Sequence, residues 1–532
     1  MGNEKTESHL VWRGAAILTG AALLVKILSA LYRLPYQNLA GDIGFYVYQQ
    51  IYPFYALAVA LGSTGFPIVI SKYMAEANEG VGIKASVQRH ALIALLFLCG
   101  LFFVGLFFFA RPLTTMIGDR HLTGLVRIAA MAYLFVPIVA LLRGNFQGDK
   151  ENMLPTALSQ IIEQAARVCF ILAASWYLFV NQGSAYEFGA AATSGSALAP
   201  LVTITVLLFF LPQKRAFVRD LFSFSRAVDW RLVGTLMISG CLFSVLAVPL
   251  LPFQLVDSLT VLRLLDKLHL ADPRAEKGIY DRAYILTQFG MIAATSLTAA
   301  IVPRLAQLAS LKKRHDFQIE ATLVIKVSLA LGAAAAAGLI TISREVNIML
   351  FRNAQGTTAF AIAALTMLTL SLLLTASGVL EATGKPWIPI YFLIIGTGVK
   401  GIGNYLLVPH FSIVGAAIAT CGGTAAAAGL SLFYLRQAAL MKRLGWRIGI
   451  KLAAAITGMC MIVLLGKMVI SHLTKSLPVR PAAAIIALSG AVFGGITFIA
   501  LLYVLRFLDA QDVKRLPNPR HKRRELPSSK QV

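Results

Sequence analysis

The sequence predicts an all-α polytopic membrane protein with about fourteen transmembrane helices. Three observations predict it. Apolar stretches of roughly 20 residues recur from end to end, each long enough to cross about 30 Å of hydrocarbon as helix. Of 532 residues, 58% are hydrophobic and only 14% charged, with a mean hydropathy of +0.73, whereas a soluble chain carries about 25% charge. Alternating strand patterns are absent, which argues against a barrel.

The spans fall at 10–34, 43–71, 90–110, 123–146, 154–181, 186–211, 231–252, 280–303, 318–343, 358–381, 386–408, 413–436, 448–472 and 482–506. An even count puts both termini on one side. Lys and Arg crowd the N-terminal tail, the even-numbered connections and the C-terminal tail, above all Lys214–Arg231 and Arg304–Arg314. The positive-inside rule then places both termini in the cytoplasm. The longest outer connection, 253–279, carries Asp257, Arg263, Asp266, Lys267, Asp272, Arg274, Glu276 and Lys277 in balanced signs. It reads as a solvated lid or as an extension of the seventh helix, kinked by Pro249 and Pro252.

An internal repeat divides the chain. Gly144 and Gly378 are each followed eleven residues later by a proline, Pro155 and Pro389, at the fourth-to-fifth junction of each half; Pro67 and Pro303 likewise end corresponding second spans. The domains are read as a six-helix lobe over 1–225, a second over 226–440, two additional helices over 441–510 and a basic cytoplasmic tail over 511–532. Repeated lobes imply alternating access to a V-shaped cavity between them.

Composition excludes several classes. The net charge of +24 could suggest nucleic acid, but the basic residues sit in loops, where they fix topology. No nucleic-acid partner is expected. The five cysteines are scattered, without metal-ligand spacing, and no P-loop or H-E-x-x-H occurs. No metal and no cofactor are expected; a coupling ion would be a proton or sodium. The Gly396-Thr-Gly398-Val-Lys-Gly401 string matches G-x-G-x-x-G but sits mid-span with no preceding strand, so it reads as helix packing. So do Gly490 and Gly494. The phenylalanine run Phe102, Phe103, Phe107, Phe108, Phe109 reads as lipid-facing bulk.

Charge inside hydrocarbon costs about 2.5–3.5 kcal/mol per residue on insertion scales, so each instance asks for a role. Lys26 lies deep in the first span. Arg33 is two turns on, on nearly the same face, and two cations on one stripe can bind a diphosphate; the bland alternative has Arg33 snorkelling to the interface. Glu163 and Arg167 form an i,i+4 pair in the fifth span: they neutralise each other, or Arg167 reaches the cavity while Glu163 tunes it or takes a proton. Asp281 and Arg282 open the eighth span, and Lys400 lies in the eleventh.

These residues also carry a resemblance. Lys26-Ile-Leu-Ser-Ala-Leu-Tyr-Arg33-Leu-Pro-Tyr-Gln-Asn-Leu-Ala-Gly41-Asp-Ile-Gly44, then Tyr48, Tyr52-Pro53-Phe54 and Gly65-Phe-Pro67, resemble the polysaccharide-exporter branch of the multidrug/oligosaccharidyl-lipid/polysaccharide flippases. The likeness covers nearly the whole chain and is nearest the stage V sporulation protein B-like and lipid II flippase-like members. It implies flipping of undecaprenyl-diphosphate-linked saccharides from the inner to the outer leaflet of a bacterial plasma membrane, by a monomer that is not an enzyme. Its partners would be that lipid and the surrounding membrane lipids. Under the resemblance, Lys26 stands for the first-helix arginine of a functional cationic cavity, and Asp281-Arg282 for an eighth-helix pair. Arg33 falls one position off the second first-helix arginine, and Asp42 lies out of register with a second-helix aspartate. The helices at 448–472 and 482–506 resemble a pair that lines a lipid-tail groove. The substrate-binding set is thus Lys26, Arg33, Arg167, Asp281, Arg282 and Lys400, tuned by Glu163 and Asp42.

A drug or cation antiporter of the same superfamily is the alternative within this fold; it would want unpaired intramembrane carboxylates. A membrane-embedded polysaccharide polymerase or ligase would need catalytic carboxylates or histidine on a substantial outer loop. Only 253–279 is long enough.

Overall fold

Hydrocarbon offers no hydrogen-bond partners, so a chain this apolar satisfies its backbone inside helices. The computed structural model describes residues 17–18, 20–76, 81–148, 153–211, 228–509 and 512. The first residues of the first predicted span, most of the basic 214–231 loop and the basic tail from Lys514 lie outside them.

The helices are α1 (Gly20–Glu76), α2 (Val81–Phe108), α3 (Ala110–Ile117), α4 (Thr123–Gly148), α5 (Leu154–Val180), α6 (Ala185–Phe210), α7 (Trp230–Ala247), α8 (Leu251–Asp266), α9 (Pro273–Ser310), α10 (Arg314–Thr341), α11 (Ser343–Phe351), α12 (Thr357–Ala382), α13 (Trp387–Gln437), α14 (Trp446–Leu473) and α15 (Val479–Val504). Among the described residues, eleven helical runs are long and apolar enough to cross a membrane. Two of them, α1 with 57 residues and α13 with 51, are each long enough for two crossings. A backbone break divides each one, at Gly41 (φ 70°, ψ −175°) and at Ser412 (φ 52°, ψ −135°). The 38-residue α9 contains the predicted eighth span, 280–303.

The chain forms two compact units. The first comprises Met1–Ile292, Thr358–Ala363 and Pro386–Ala427. Its apolar core lies where the second half of α1 meets α2, α4 and α7, around Phe54, Phe66, Val126, Tyr133 and Leu236. At Gly65 the close approach is obligatory: a Cβ there would lie 1.8 Å from Ser244 Oγ and 2.4 Å from the Gly240 carbonyl of α7. Gly65 also closes a π-helical turn, Leu61–Gly65. The phenylalanine run divides: Phe108 and Phe109 are exposed, whereas Phe102 stacks on Tyr133 at 5.3 Å and belongs to the core.

Asp119, buried between α3 and α4, gathers one end of this unit. It accepts from Tyr186 Oη at 2.6 Å and from Tyr46 Oη at 3.2 Å, and pairs with Arg274 at 3.4 Å. These partners come from or next to the first, third, fifth and seventh connections, which therefore share one face, as the odd-numbered connections of a fourteen-span chain must.

The 253–279 segment is not a solvated lid. The seventh helix breaks at Val248 (φ −132°), and the chain resumes as α8 with Leu251, Phe253, Gln254, Asp257, Ser258, Val261 and Leu262 buried. Three of its charges pair inside the protein, Asp257, Arg274 and Lys277, and Asp257 is 1% exposed; Arg263, Asp266 and Lys267 are exposed.

The second unit comprises Ala293–Thr357, Ala364–Lys385 and Ala428–Val532. In it α14 and α15 pack through small residues, Gly494 and Gly490 facing Val463. Lys467 of α14 pairs with Glu345 of α11 at 2.9 Å. Arg480 Nε donates to the Met349 carbonyl at 3.1 Å. Lys326 of α10 pairs with Asp512 at 2.8 Å.

Candidate functional site

Gly41 permits the reversal between the two halves of α1, because its positive φ admits no side chain without strain. The second half then presents Tyr48, Tyr52 and Tyr55 at i, i+4 and i+7, one helical face. Tyr48 Oη is hydrogen-bonded to Tyr32 Oη, and its ring packs against Tyr36 at 5.3 Å and Tyr52 at 6.0 Å.

Two guanidinium groups enter this tyrosine cluster. Arg33, 1% exposed, lies 4.4 Å from the Tyr52 ring centroid, a cation–π contact. Its Nε and Nη1 are buried without a hydrogen-bond partner. Arg167, 9% exposed, donates from Nη1 to Tyr55 Oη at 2.9 Å and from Nη2 to Gln164 Oε1. Its Nε is also buried without a partner. Lys26, two turns before Arg33, is exposed, and no side chain among the described residues bonds it. The snorkelling alternative for Arg33 is thus corrected: its side chain turns into the protein.

Four other buried cations of this unit have carboxylates. Arg143 Nη2 meets Glu163 Oε2 at 2.7 Å, with further donation to Ser63 at 2.5 Å and Ser159 at 3.2 Å. Thr203 Oγ1 also donates to Glu163, at 2.7 Å. Arg282 pairs with Asp42 through two nitrogens, Nε at 3.1 Å among them; Gln37 supports the same carboxylate at 2.9 Å. Lys277 pairs with Asp281 at 2.5 Å, one turn away. Lys400 pairs with Asp257 at 2.7 Å.

Four pairs are therefore neutral, whereas Lys26, Arg33 and Arg167 have no carboxylate within ion-pair distance among the described residues. Burying an unmatched charge costs several kcal/mol. Orphaned guanidinium N–H groups facing aromatic rings make a site for an anion with several acceptor oxygens.

The structure redistributes the predicted set. Lys26, Arg33 and Arg167 remain unmatched cations. Asp281, Arg282, Lys400 and Asp42 are engaged in ion pairs. Glu163 pairs with Arg143, and not with Arg167 four residues along its own helix. Arg143, Asp257, Lys277 and Tyr55 belong to these networks and escape the sequence reading. The signal for Tyr55 is present in the i, i+4, i+7 tyrosine spacing. Arg143 stands beside Gly144 and is masked by the helix-end pattern there.

Residues 11–309 match the family model described as polysaccharide biosynthesis protein. The chain belongs to that family. This family member is 38% identical over 516 residues to a Bacillus subtilis (strain 168) protein named as the uncharacterized membrane protein YabM, covering 96% of this chain and 95% of that one. Two other B. subtilis proteins match over about a third of their length. They are the lipid II flippase MurJ, 29% identical over 182 residues, covering 32% of this chain and 33% of MurJ, and stage V sporulation protein B, 32% identical over 206 residues, covering 37% and 38%. Among solved structures, a lipid II flippase MurJ in an inward closed conformation aligns with a TM-score of 0.66 at 12% identity, over 94% of this chain and all of that one. An inward-facing multidrug resistance MATE transporter of the MOP superfamily aligns at 0.64 with 14% identity, over 78% and 94%. At such identities the structural likeness establishes the fold: a multi-pass helical membrane protein of this family.

Proposed function

We propose that this chain flips a polyprenyl-diphosphate-linked saccharide from the inner to the outer leaflet of the bacterial plasma membrane. The observation that carries the reading is the pair of buried guanidinium groups, Arg33 and Arg167, with orphaned N–H donors and no carboxylate within ion-pair distance among the described residues. A diphosphate supplies the missing acceptors and about two negative charges. Lys26, exposed and on the same first span, receives the headgroup as it enters. The local sequence similarity to a lipid II flippase supports the substrate class.

The two six-helix halves, 1–225 and 226–440, alternate around this site while the polyprenyl tail stays in lipid. The work is non-enzymatic: no bond of the substrate is broken. Outward movement of two negative charges is favoured by about 2.3 kcal/mol per charge per 100 mV of inside-negative potential. The rival reading, a cation antiporter, meets three unmatched positive charges where its substrate would bind.

Reconstitution in liposomes tests the proposal. Labelled lipid-linked saccharides and a cationic dye are offered to the same vesicles. Flipping of the lipid and exclusion of the dye are expected; dye export without lipid flipping would replace the proposal with the antiporter.

The direction of transport rests on topology, with both termini cytoplasmic. Ala275 lies on the same side as Asp119 and Arg274, and Leu311, exposed at the opposite end of α9, lies on the other. Cysteine at Ala275 should label with an impermeant thiol reagent in intact cells, and cysteine at Leu311 only after permeabilisation. The reverse pattern would invert the orientation.

A further inference from the structure

The most enclosed polar cluster in the first unit surrounds the ammonium of Lys400, itself 0% exposed. Nζ donates to Thr420 Oγ1 at 2.6 Å, to Asp257 Oδ2 at 2.7 Å and to Tyr284 Oη at 3.1 Å. Tyr280 Oη closes the shell by bonding Asp257 at 2.7 Å and Thr420 at 2.8 Å. Asn404, 0% exposed, donates from Nδ2 to the other Asp257 oxygen at 3.0 Å. Its Oδ1 is buried without a partner.

Three helices, α8, α9 and α13, thus converge oxygen atoms on one point of positive charge. The lysine stem reaches that point because position 423 is glycine: a Cβ there would lie 2.9 Å from the Lys400 Cβ. One carboxylate and several hydroxyls are the donor set of a hard cation. Two of the three ammonium-to-oxygen distances exceed the roughly 2.0–2.6 Å that magnesium and calcium demand, and the third lies at its upper end, so the spacing suits a large monovalent ion.

We propose that this cluster is a monovalent-cation site filled in the native chain by its own lysine. Lys400 serves as a tethered cation, so the native protein takes up no free alkali ion there. Shortening the lysine opens the cage to potassium. The proposal is independent of the flippase reading, because its test reads binding through stability and not transport.

The experiment uses the purified full chain, with thermal unfolding midpoints measured while potassium chloride replaces choline chloride at constant ionic strength. The native chain should show no potassium-specific shift. Lys400→Ala should unfold at a lower midpoint in choline and recover saturably with potassium. Lys400→Met fills the stem volume without charge; it should be destabilised and unresponsive. Asp257→Asn placed in the Lys400→Ala chain should abolish the recovery, since it removes the only carboxylate of the shell. The proposal is overturned if folded Lys400→Ala responds to potassium no more than to choline. A native midpoint that rises specifically with potassium and loses that rise in Asp257→Asn would overturn it too. Failure of both Lys400→Ala and Lys400→Ser to accumulate when prepared in potassium also counts against it, because the emptied cage would then have refused the free ion.

Discussion

Arg33→Gln and Arg167→Gln each lose most flipping while the empty protein becomes no less stable. The two effects have opposite signs because these cations have no carboxylate within ion-pair distance among the described residues. Removing a buried charge that has no ion-pair partner relieves a desolvation penalty, so the thermal midpoint of the unliganded protein should hold or rise. The substrate complex loses a buried charge-assisted contact, which costs roughly 2–5 kcal/mol when one partner is truncated. Since about 1.4 kcal/mol is tenfold, flipping at subsaturating substrate should fall on the order of 10²-fold or more. Lys72→Ala, at a side chain 63% exposed and paired loosely with Glu76, should leave flipping unchanged. A guanidinium that served only to hold the tyrosine cluster together would show the reverse: a lower midpoint and a matching, smaller loss of transport.

The second large effect falls on Glu163. Its partner Arg143 is 0% exposed, and removing one member of a buried pair costs about 3–5 kcal/mol. Glu163→Leu should therefore accumulate poorly and unfold at a much lower midpoint. Replacing both members by apolar residues of similar volume is often near neutral, so Glu163→Leu with Arg143→Met should recover most of the stability. Glu163→Leu with Arg167→Met should not, because Arg167 bonds Tyr55 and Gln164. Accumulation in membranes and a thermal midpoint in detergent read the outcome. Recovery by the Arg167 replacement, and not by the Arg143 replacement, would return the carboxylate to Arg167.

The two arginine predictions differ because of pairings that local spacing does not disclose. Fourteen crossings are legible because hydrocarbon imposes a length and an apolarity on every span, α9 included through its apolar stretch over 280–303. Within one helix the i,i+4 spacing does pair Lys277 with Asp281, though not Glu163 with Arg167, where a partner 20 residues away in sequence wins. The tertiary partner brings Ser63, Ser159 and Thr203 with it, and a buried carboxylate is stabilised by as many donors as it can collect. The Asp257–Lys400 and Asp42–Arg282 pairs span 143 and 240 residues, beyond any periodicity. Asp257 was misplaced for a further reason: a mixed-charge segment beside two prolines looks like a solvated connection whenever its partners lie on distant helices.

The three unmatched cations are the centre of the account. The most direct measurement compares, in liposomes holding the native protein, flipping of a labelled polyprenyl-diphosphate saccharide with flipping of the same lipid carrying a single phosphate. Because a diphosphate linkage brings two charged phosphoryl groups to Arg33 and Arg167 and a single-phosphate linkage brings one, the diphosphate should flip at least about tenfold faster at equal low concentration, the factor that about 1.4 kcal/mol provides, and Arg33→Gln should erase the difference. Equal rates for the two lipids in the native protein would contradict the assignment of these arginines to the diphosphate.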